Sequence, residues 1–425
     1  MQKIFNSIFL SQIKSFLQDS LIYTFINLLN KLIPFILLPI LVRIVSVEQY
    51  GVYSLFITIE TVLVPLISFN IHGALTRHYY LDEKFSLKDY ISTMSSISIT
   101  ATVFFFSISI LLPYNFNYFS GITKIILVLS VLTSGLSGLI NIVSTLLRVK
   151  RKPWQFGGYI VTLSIVTLLF TIFMALLNPQ AFNLVLGRLM SFLIISILGI
   201  IILYRMDIFN LYIKKKWLVR ILKFSLPTIP YSFSALVFVF ADRFMIEYFL
   251  GISHVGYYSA IVQVASMISV LAMSYNAAWV PWLFENLKKK DKSVDLFIIK
   301  ISYYIMFSFL VAGSIFCLIF PIIAKLVLVK DYVDYLYIGY PIIFGFVLQG
   351  CYFVVAPYIF YVEKTSYLAY SGIFVAIINI LLNYFLIPRY GIVGSSYSTL
   401  VSWLILFILT ISISSKIYIM PWRLK

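Results

Sequence analysis

Long apolar runs, separated by short polar segments, follow one another along the chain from about residue 21 onward. Each run is roughly 18–25 residues long, the length that a helix needs to cross the hydrocarbon core of a bilayer. The pattern predicts twelve membrane-spanning helices, at residues 21–42, 51–70, 90–112, 124–147, 157–177, 182–204, 224–250, 255–276, 297–320, 336–361, 368–387 and 393–415. We therefore expect an all-α integral membrane protein.

The basic residues collect on one side of this predicted topology. Of the 32 Lys and Arg residues, 24 are assigned to the termini and loops of one side and six to the other side. Arg243 is counted among the six because it lies near the end of its span, which leaves Lys31 and Arg188 within the membrane. Because Lys and Arg accumulate on the cytoplasmic side of membrane proteins, both termini are predicted to be cytoplasmic. The net charge of +17 then reports topology and anionic headgroups, and it predicts no nucleic-acid partner.

The composition narrows the class further. Hydrophobic residues make up 61% of the chain and charged residues only 11%, against about 25% charged residues in soluble domains. Cys317 and Cys351 fall inside apolar spans, and their spacing predicts no disulfide framework or metal site. No phosphate-binding loop, nucleophile elbow or zinc-protease motif occurs, so the chain is predicted not to be an enzyme and to need no cofactor.

Three sequence matches indicate an internal duplication. The segment YGVYS at 50–54 resembles VGYYS at 255–259, and LMSFLI at 189–194 resembles LVSWLI at 400–405. Between them, Lys150 and Gly158 match Lys364 and Gly372. The matches occur in the same order, which predicts two parallel six-helix lobes related by an axis along the membrane normal. The lobes are residues 1–205 and 223–425, joined by a cytoplasmic linker at 206–222.

Ionisable residues interrupt several of the spans. Lys31, Glu60, Arg188, Asp242 and Arg243 all lie within predicted spans. Because an ionised group at bilayer depth costs at least ~2.5–3.5 kcal/mol, such groups usually face water or a partner. Lys31 is too central to snorkel, so it needs water, an anionic ligand or a carboxylate such as Glu60. Arg188 can instead snorkel, and the Asp242–Arg243 pair can be satisfied by neighbouring side chains.

Polar residues follow one face of several spans. Thr24, Asn27 and Lys31 share a face of the first span, and Asn141 lies among serines spaced three and four apart in the fourth. Two explanations remain open for the serines: small hydroxylated residues let membrane helices approach closely, or they line a polar lumen.

Three segments carry a resemblance to a known family. They are RIVSVEQYGVYSLF at 43–56, ADRFMI at 241–246 followed by VGYYS, and YGIVGSS at 390–396. The chain resembles the Wzx-type flippases of O-antigen and capsule repeat units, in the multidrug/oligosaccharidyl-lipid/polysaccharide exporter superfamily. The resemblance implies two six-helix bundles that move an undecaprenyl-pyrophosphate-linked oligosaccharide from the inner to the outer leaflet of a bacterial cytoplasmic membrane by alternating access. It also implies membrane lipids, a polysaccharide polymerase and a chain-length regulator as partners.

The resemblance and the intramembrane charges together give a hypothesis for the site. The residues expected to bind pyrophosphate or acidic sugars are Lys31, Arg188, Arg43 and Arg243. Those expected to contact sugar hydroxyls are Asn27, Thr24 and Asn141, and those expected to couple transport to an ion gradient are Glu60 and Asp242. Two alternatives stay open: a drug/cation antiporter, against which the small number of intramembrane carboxylates counts, and a non-transporting scaffold of a polysaccharide assembly complex.

Overall fold

The computed structural model describes residues 22, 25–26, 28–81, 86–113, 122–289, 291–418, 420 and 422, and within these ranges the ordered elements are helices. The helices are α1 (residues 28–44), α2 (Val47–Ile67), α3 (Ile71–Leu81), α4 (Leu87–Leu111), α5 (Lys124–Val149), α6 (Pro153–Leu177), α7 (Ala181–Arg205), α8 (Lys215–Ser225), α9 (Thr228–Leu250), α10 (Ile252–Ala265), α11 (Met267–Leu287), α12 (Lys292–Val327), α13 (Gly339–Tyr361), α14 (Ser366–Tyr390) and α15 (Ile392–Ile417), with a 3₁₀ helix (Lys330–Ile338) before α13.

The predicted all-α membrane fold is confirmed. In the described part of the chain, ten helices are long and apolar enough to cross a bilayer: α2, α4 to α7, and α11 to α15, with the 3₁₀ helix extending α13. The first and seventh predicted spans correspond to α1 and α9.

One detail of the prediction was wrong. The eighth span is broken into α10 and α11 at Ser266, whose hydroxyl donates to the main-chain oxygen of Gln263 over 2.7 Å. The stretch 206–222, whose role as the linker of the two lobes stays a prediction, contains the start of α8. Its Trp217 and Ile221 are buried while its lysines and Arg220 are exposed, because the helix is amphipathic and packs its apolar face on α3 and α4.

Contacts group the chain into two compact units. The first unit comprises Met1–Leu37, Ile59–Phe116 and Thr123–Pro230, and the second comprises Leu38–Thr58, Asn117–Ile122 and Tyr231–Lys425. The turn between α1 and α2 therefore belongs to the second unit. The lobe boundaries inferred from the sequence repeats remain a prediction.

Helix α5 is central to the first unit, where it packs against α3, α4, α6 and α7. Apolar side chains from α3 to α8 form one buried cluster around it, which includes Met94, Ile142, Leu146, Phe192 and Trp217. A helix that is buried on several sides cannot carry a purely polar face to solvent, so its serines must find partners within the bundle.

The repeated glycine motif has a direct structural meaning in the second unit. Gly51 of α2 lies against α10, where an added Cβ would be 2.3 Å from the main-chain oxygen of Ile252. Gly256 of α10 lies against the start of α2, where a Cβ would be 2.2 Å from the main-chain oxygen of Val47. The two copies of the motif thus pack on each other backbone to backbone, which only glycine permits.

We predict that Gly51→Ala and Gly256→Ala each lower the midpoint of thermal unfolding in detergent by several degrees. The added methyl groups meet backbone, which cannot move aside, and such overpacking costs about 1–3 kcal/mol. Gly372→Ala is the matched control, since its Cβ meets nothing within 4 Å and the alanine favours the helix. Unchanged midpoints in the first two variants would contradict the close helix crossing.

Candidate functional site

A buried ion pair joins α2 to α7 in the first unit. The Nε of Arg188 lies 2.6 Å from Oε2 of Glu60, and its Nη2 lies 3.2 Å from Oε1. Glu60 is only 3% exposed, and the guanidinium also lies over the ring of Phe192, 4.8 Å from its centroid. Bidentate geometry of this kind offsets much of the cost of removing both charges from water. Arg188 therefore faces inward rather than snorkelling. It forms an ion pair with Glu60, the carboxylate that the sequence analysis named as a candidate partner of Lys31.

Helix α5 supports this pair from a third side. The hydroxyl of Ser134 lies 2.9 Å from the main-chain oxygen of Glu60 and 2.7 Å from that of Ser130. Both serines are fully buried. Of the two explanations open for this polar seam, close helix packing is therefore the one that fits Ser130 and Ser134, because their hydroxyls bond to main-chain carbonyls. The spacing of the serines predicted that α5 contacts another helix. It did not predict that Ser134 bonds to the main-chain oxygen of Glu60.

The second unit contains a similar cluster on α9 and α10. Nη1 of Arg243 lies 3.0 Å from Oδ1 of Asp242, and the hydroxyl of Tyr258 donates to Oδ2 over 2.7 Å. The guanidinium lies over the rings of Phe240 and Tyr258, at 5.2 and 5.9 Å from their centroids. Both charged side chains are largely buried. Asp242 and Arg243 thus pair with each other and with Tyr258, a partner that the sequence did not identify.

Arg43 holds the end of α1 on the end of α12. Its guanidinium donates to the main-chain oxygens of Leu326 and Val327 over 2.8 and 3.1 Å, and to that of Pro39 over 2.5 Å. The last carbonyls of a helix have no partner within the helix, and a cation there also interacts favourably with the helix dipole. These bonds give Arg43 an anchoring role, and its contact with substrate stays a prediction.

The remaining predicted residues lie on α1 and α5. Lys31 is exposed on α1, and the preceding Asn30 accepts a hydrogen bond from Ser164 of α6. Asn141 is half-buried on α5, and its side-chain amide makes no hydrogen bond to any part of the chain that the structure describes. Thr24 and Asn27 lie outside the described residues.

One buried carboxylate was missed. Glu247, near the end of α9, is only 4% exposed, although it lies within the predicted span 224–250 and one turn beyond Arg243. Its position within an apolar run could have identified it as an intramembrane carboxylate. In the described ranges, no three His, Cys, Asp or Glu side chains cluster so as to hold a metal ion.

An apolar groove of about 480 Å³ runs between α6 and the chain leading into α1. Its walls are formed by Ile22, Phe25, Ile26, Leu29, Trp154, Gly157, Gly158 and Val161. The two glycines have different surroundings. A Cβ on Gly157 would lie 2.3 Å from Cδ1 of Ile26, whereas a Cβ on Gly158 would meet nothing within 4 Å. Gly157 therefore allows the close approach of the two walls, and Gly158 leaves the groove open.

Comparisons with solved structures place this arrangement in a known fold. An inward-facing multidrug resistance MATE family transporter of the MOP superfamily matches with a TM-score of 0.68 and 15% identity, over 93% of this chain and 94% of that one. The lipid II flippase MurJ, in an inward closed conformation, matches with a TM-score of 0.71 and 18% identity, over 93% of this chain and 87% of that one.

Sequence comparisons give the family. The Lsg locus putative protein 1 of Haemophilus influenzae is 26% identical over 399 residues, which cover 89% of this chain and 94% of that protein. The sequence profile of the polysaccharide biosynthesis protein family matches residues 16–287, well over half of the chain. The chain belongs to the polysaccharide biosynthesis protein family and has the two-bundle fold of the MOP superfamily.

Proposed function

We propose that this protein is a flippase that moves an anionic, lipid-linked oligosaccharide from one leaflet of the membrane to the other. The observation that carries the proposal is the exposed side chain of Lys31 on α1, within an apolar span. Ionised side chains at such depth almost always face a protein interior or a water-filled cavity, and they mark substrate or ion pathways. An ammonium there suits a diphosphate headgroup.

Two comparisons support the same substrate class. The family to which the chain belongs is named for polysaccharide biosynthesis, and a protein with the same fold is a lipid II flippase. The substrate that we propose is an undecaprenyl-pyrophosphate-linked repeat unit of O-antigen or capsule. It is moved from the inner to the outer leaflet of a bacterial cytoplasmic membrane, where both termini of the protein are cytoplasmic and a polymerase and chain-length regulator take the product.

The ion pairs suggest how the cations act. Lys31 binds the diphosphate, while Thr24, Asn27 and Asn141 contact sugar hydroxyls. Arg188 and Arg243 pair with Glu60 and Asp242 in this structure. Binding of a proton or sodium ion to Glu60 would neutralise it and release Arg188 to the substrate. This exchange makes Glu60 the coupling group and Arg188 a binding group in one cycle, with Asp242 and Arg243 as the corresponding pair in the second unit.

A drug/cation antiporter is the second candidate function, and the buried Glu247 favours it as an additional intramembrane carboxylate. Reconstitution tests both candidates. Vesicles that contain the protein should expose a fluorescent undecaprenyl-pyrophosphate-linked oligosaccharide to an external glycosidase faster than protein-free vesicles. Cation-driven movement of a lipophilic dye with no oligosaccharide transfer would overturn the flippase proposal, and movement of neither substrate would favour the scaffold.

We predict that Lys31→Ala slows transfer of the lipid-linked oligosaccharide by about 10- to 100-fold, because a charge-assisted hydrogen bond contributes about 1.5–3 kcal/mol. Lys31→Arg should retain part of the rate, since it keeps the charge. The control is Lys416→Ala, which removes an exposed lysine from the end of α15. Equal amounts of inserted protein are verified by quantitative blotting, and wild-type transfer by Lys31→Ala would remove Lys31 from the pathway.

We predict that Glu60→Gln transfers substrate at a rate that no longer responds to the proton or sodium gradient, because the variant cannot exchange Arg188 for a cation. Initial rates are measured in vesicles with imposed gradients of each ion. Asp207→Asn serves as the control, since it breaks an exposed carboxylate–lysine pair with Lys88 outside the spans. If Glu60→Gln keeps the full gradient dependence of the wild type, this carboxylate is not the coupling group.

A further inference from the structure

Two basic residues to which the proposed function assigns no role precede the helix that forms one wall of the apolar groove. Arg151 and Lys152 form the turn between α5 and α6, and Trp154, two residues further on, lines the groove. Arg151 is exposed and Lys152 is half-buried, and neither side chain makes a hydrogen bond or ion pair with the described parts of the chain. Trp154 is 76% exposed, as is common for tryptophan at the level of the lipid headgroups. Two cations therefore immediately precede the end of α6 at which Trp154 lines the apolar groove.

We infer that this is the site where the lipid-linked substrate first docks, with its diphosphate on Arg151 and Lys152 and the first isoprene units of its chain in the groove. The inference rests on the proposed function and adds a binding site to it. Two adjacent cations suit the two phosphates of the headgroup. The groove wall exposes only apolar surface in the part of the chain that the structure describes. The groove volume of about 480 Å³ is within the range of ~300–1,000 Å³ typical of sites that enclose a small ligand.

The small hydrophobic free energy available in the groove explains why cations are needed at the end near Trp154. A hydrocarbon chain that enters the groove leaves lipid rather than water, so its burial yields little hydrophobic free energy. Binding must therefore come from the headgroup charges and from the fit of the chain. A polyprenyl chain carries a methyl branch in every unit and is bulkier than an unbranched acyl chain. At Gly158 an added Cβ meets nothing within 4 Å, so this part of the groove wall leaves room beside the chain.

The end of the groove opposite Trp154 lies near Lys31, the residue proposed to bind the diphosphate during transfer. Beyond Leu29 and Val161, which line the groove, the bond between Asn30 and Ser164 crosses from α1 to α6. Lys31 is the next residue on α1, only about 1.5 Å further along the helix axis. A substrate docked in the groove thus lies beside the helix that carries the proposed diphosphate-binding lysine.

Photolabelling tests the docking site in the intact protein. The probes are a polyprenyl diphosphate with a diazirine near the diphosphate end of its chain, and a phosphatidylglycerol with a diazirine in an acyl chain. We expect the polyprenyl probe to label peptides containing Trp154 to Val161, and unlabelled polyprenyl diphosphate to compete for the label. Equal labelling by both probes without competition would show that ordinary bilayer lipid fills the groove, which would overturn the inference.

Matched glycine variants sharpen the test. At Gly158 an added Cβ meets nothing within 4 Å, so Gly158→Leu should extend a side chain into the groove and reduce labelling at least fivefold. Gly372→Leu, at the matching position of the sequence repeat and equally open at Cβ, should leave labelling unchanged. Arg151→Gln combined with Lys152→Gln should reduce labelling to a similar degree. The wild-type labelling decides the question even where a variant inserts poorly.

The outcomes also separate this inference from the proposed function. Transfer of lipid-linked oligosaccharide by wild-type protein without competed labelling of the groove would reject the docking site and keep the flippase. Competed labelling without any transfer would uphold the docking site and reject the flippase.

Discussion

An ionised group inside a membrane must be solvated by something other than the lipid, and this constraint organises both units of the protein. In the first unit Arg188 satisfies Glu60 through two short contacts, and in the second Arg243 and Tyr258 satisfy Asp242. The first pair joins α2 to α7, and Tyr258 joins the second pair on α9 to α10. The contacts that neutralise the charges therefore also fix the orientation of the helices. The proposed transport cycle depends on these pairs because they decide which cations are held and which can meet a substrate.

Close helix packing supplies the rest of the framework. Lipid offers no hydrophobic force that drives helices together, so close contacts between small residues and hydrogen bonds to the backbone take its place. The reciprocal contact of Gly51 and Gly256, and the buried hydroxyl of Ser134 against the backbone of α2, are examples from the two units. The repeated glycine motif is therefore explained by helix packing, whereas the repeated Gly158 and Gly372 lie against open space.

The sequence predicted the fold well because span length and apolar composition are local signals that need no knowledge of neighbours. It located the intramembrane charges for the same reason. It did not predict that Arg188 binds Glu60 or that Arg43 bonds the end of α12, because partners depend on how each helix is rotated and packed. The break at Ser266 was missed since an apolar run continues through it. The groove between α6 and the chain leading into α1 could not be predicted from the sequence either, because it forms only where two segments distant in the sequence meet.

In the proposed function, cationic groups along the protein recognise an anionic lipid headgroup during transfer. The most direct test compares two substrates in the same reconstituted vesicles, with identical oligosaccharide and polyprenyl chain but joined either by a diphosphate or by a neutral ether. We expect protein-dependent transfer of the diphosphate-linked substrate and no acceleration of the neutral one. Equal acceleration of both substrates would rule out recognition by these cations, since the headgroup charge would then have no part in binding.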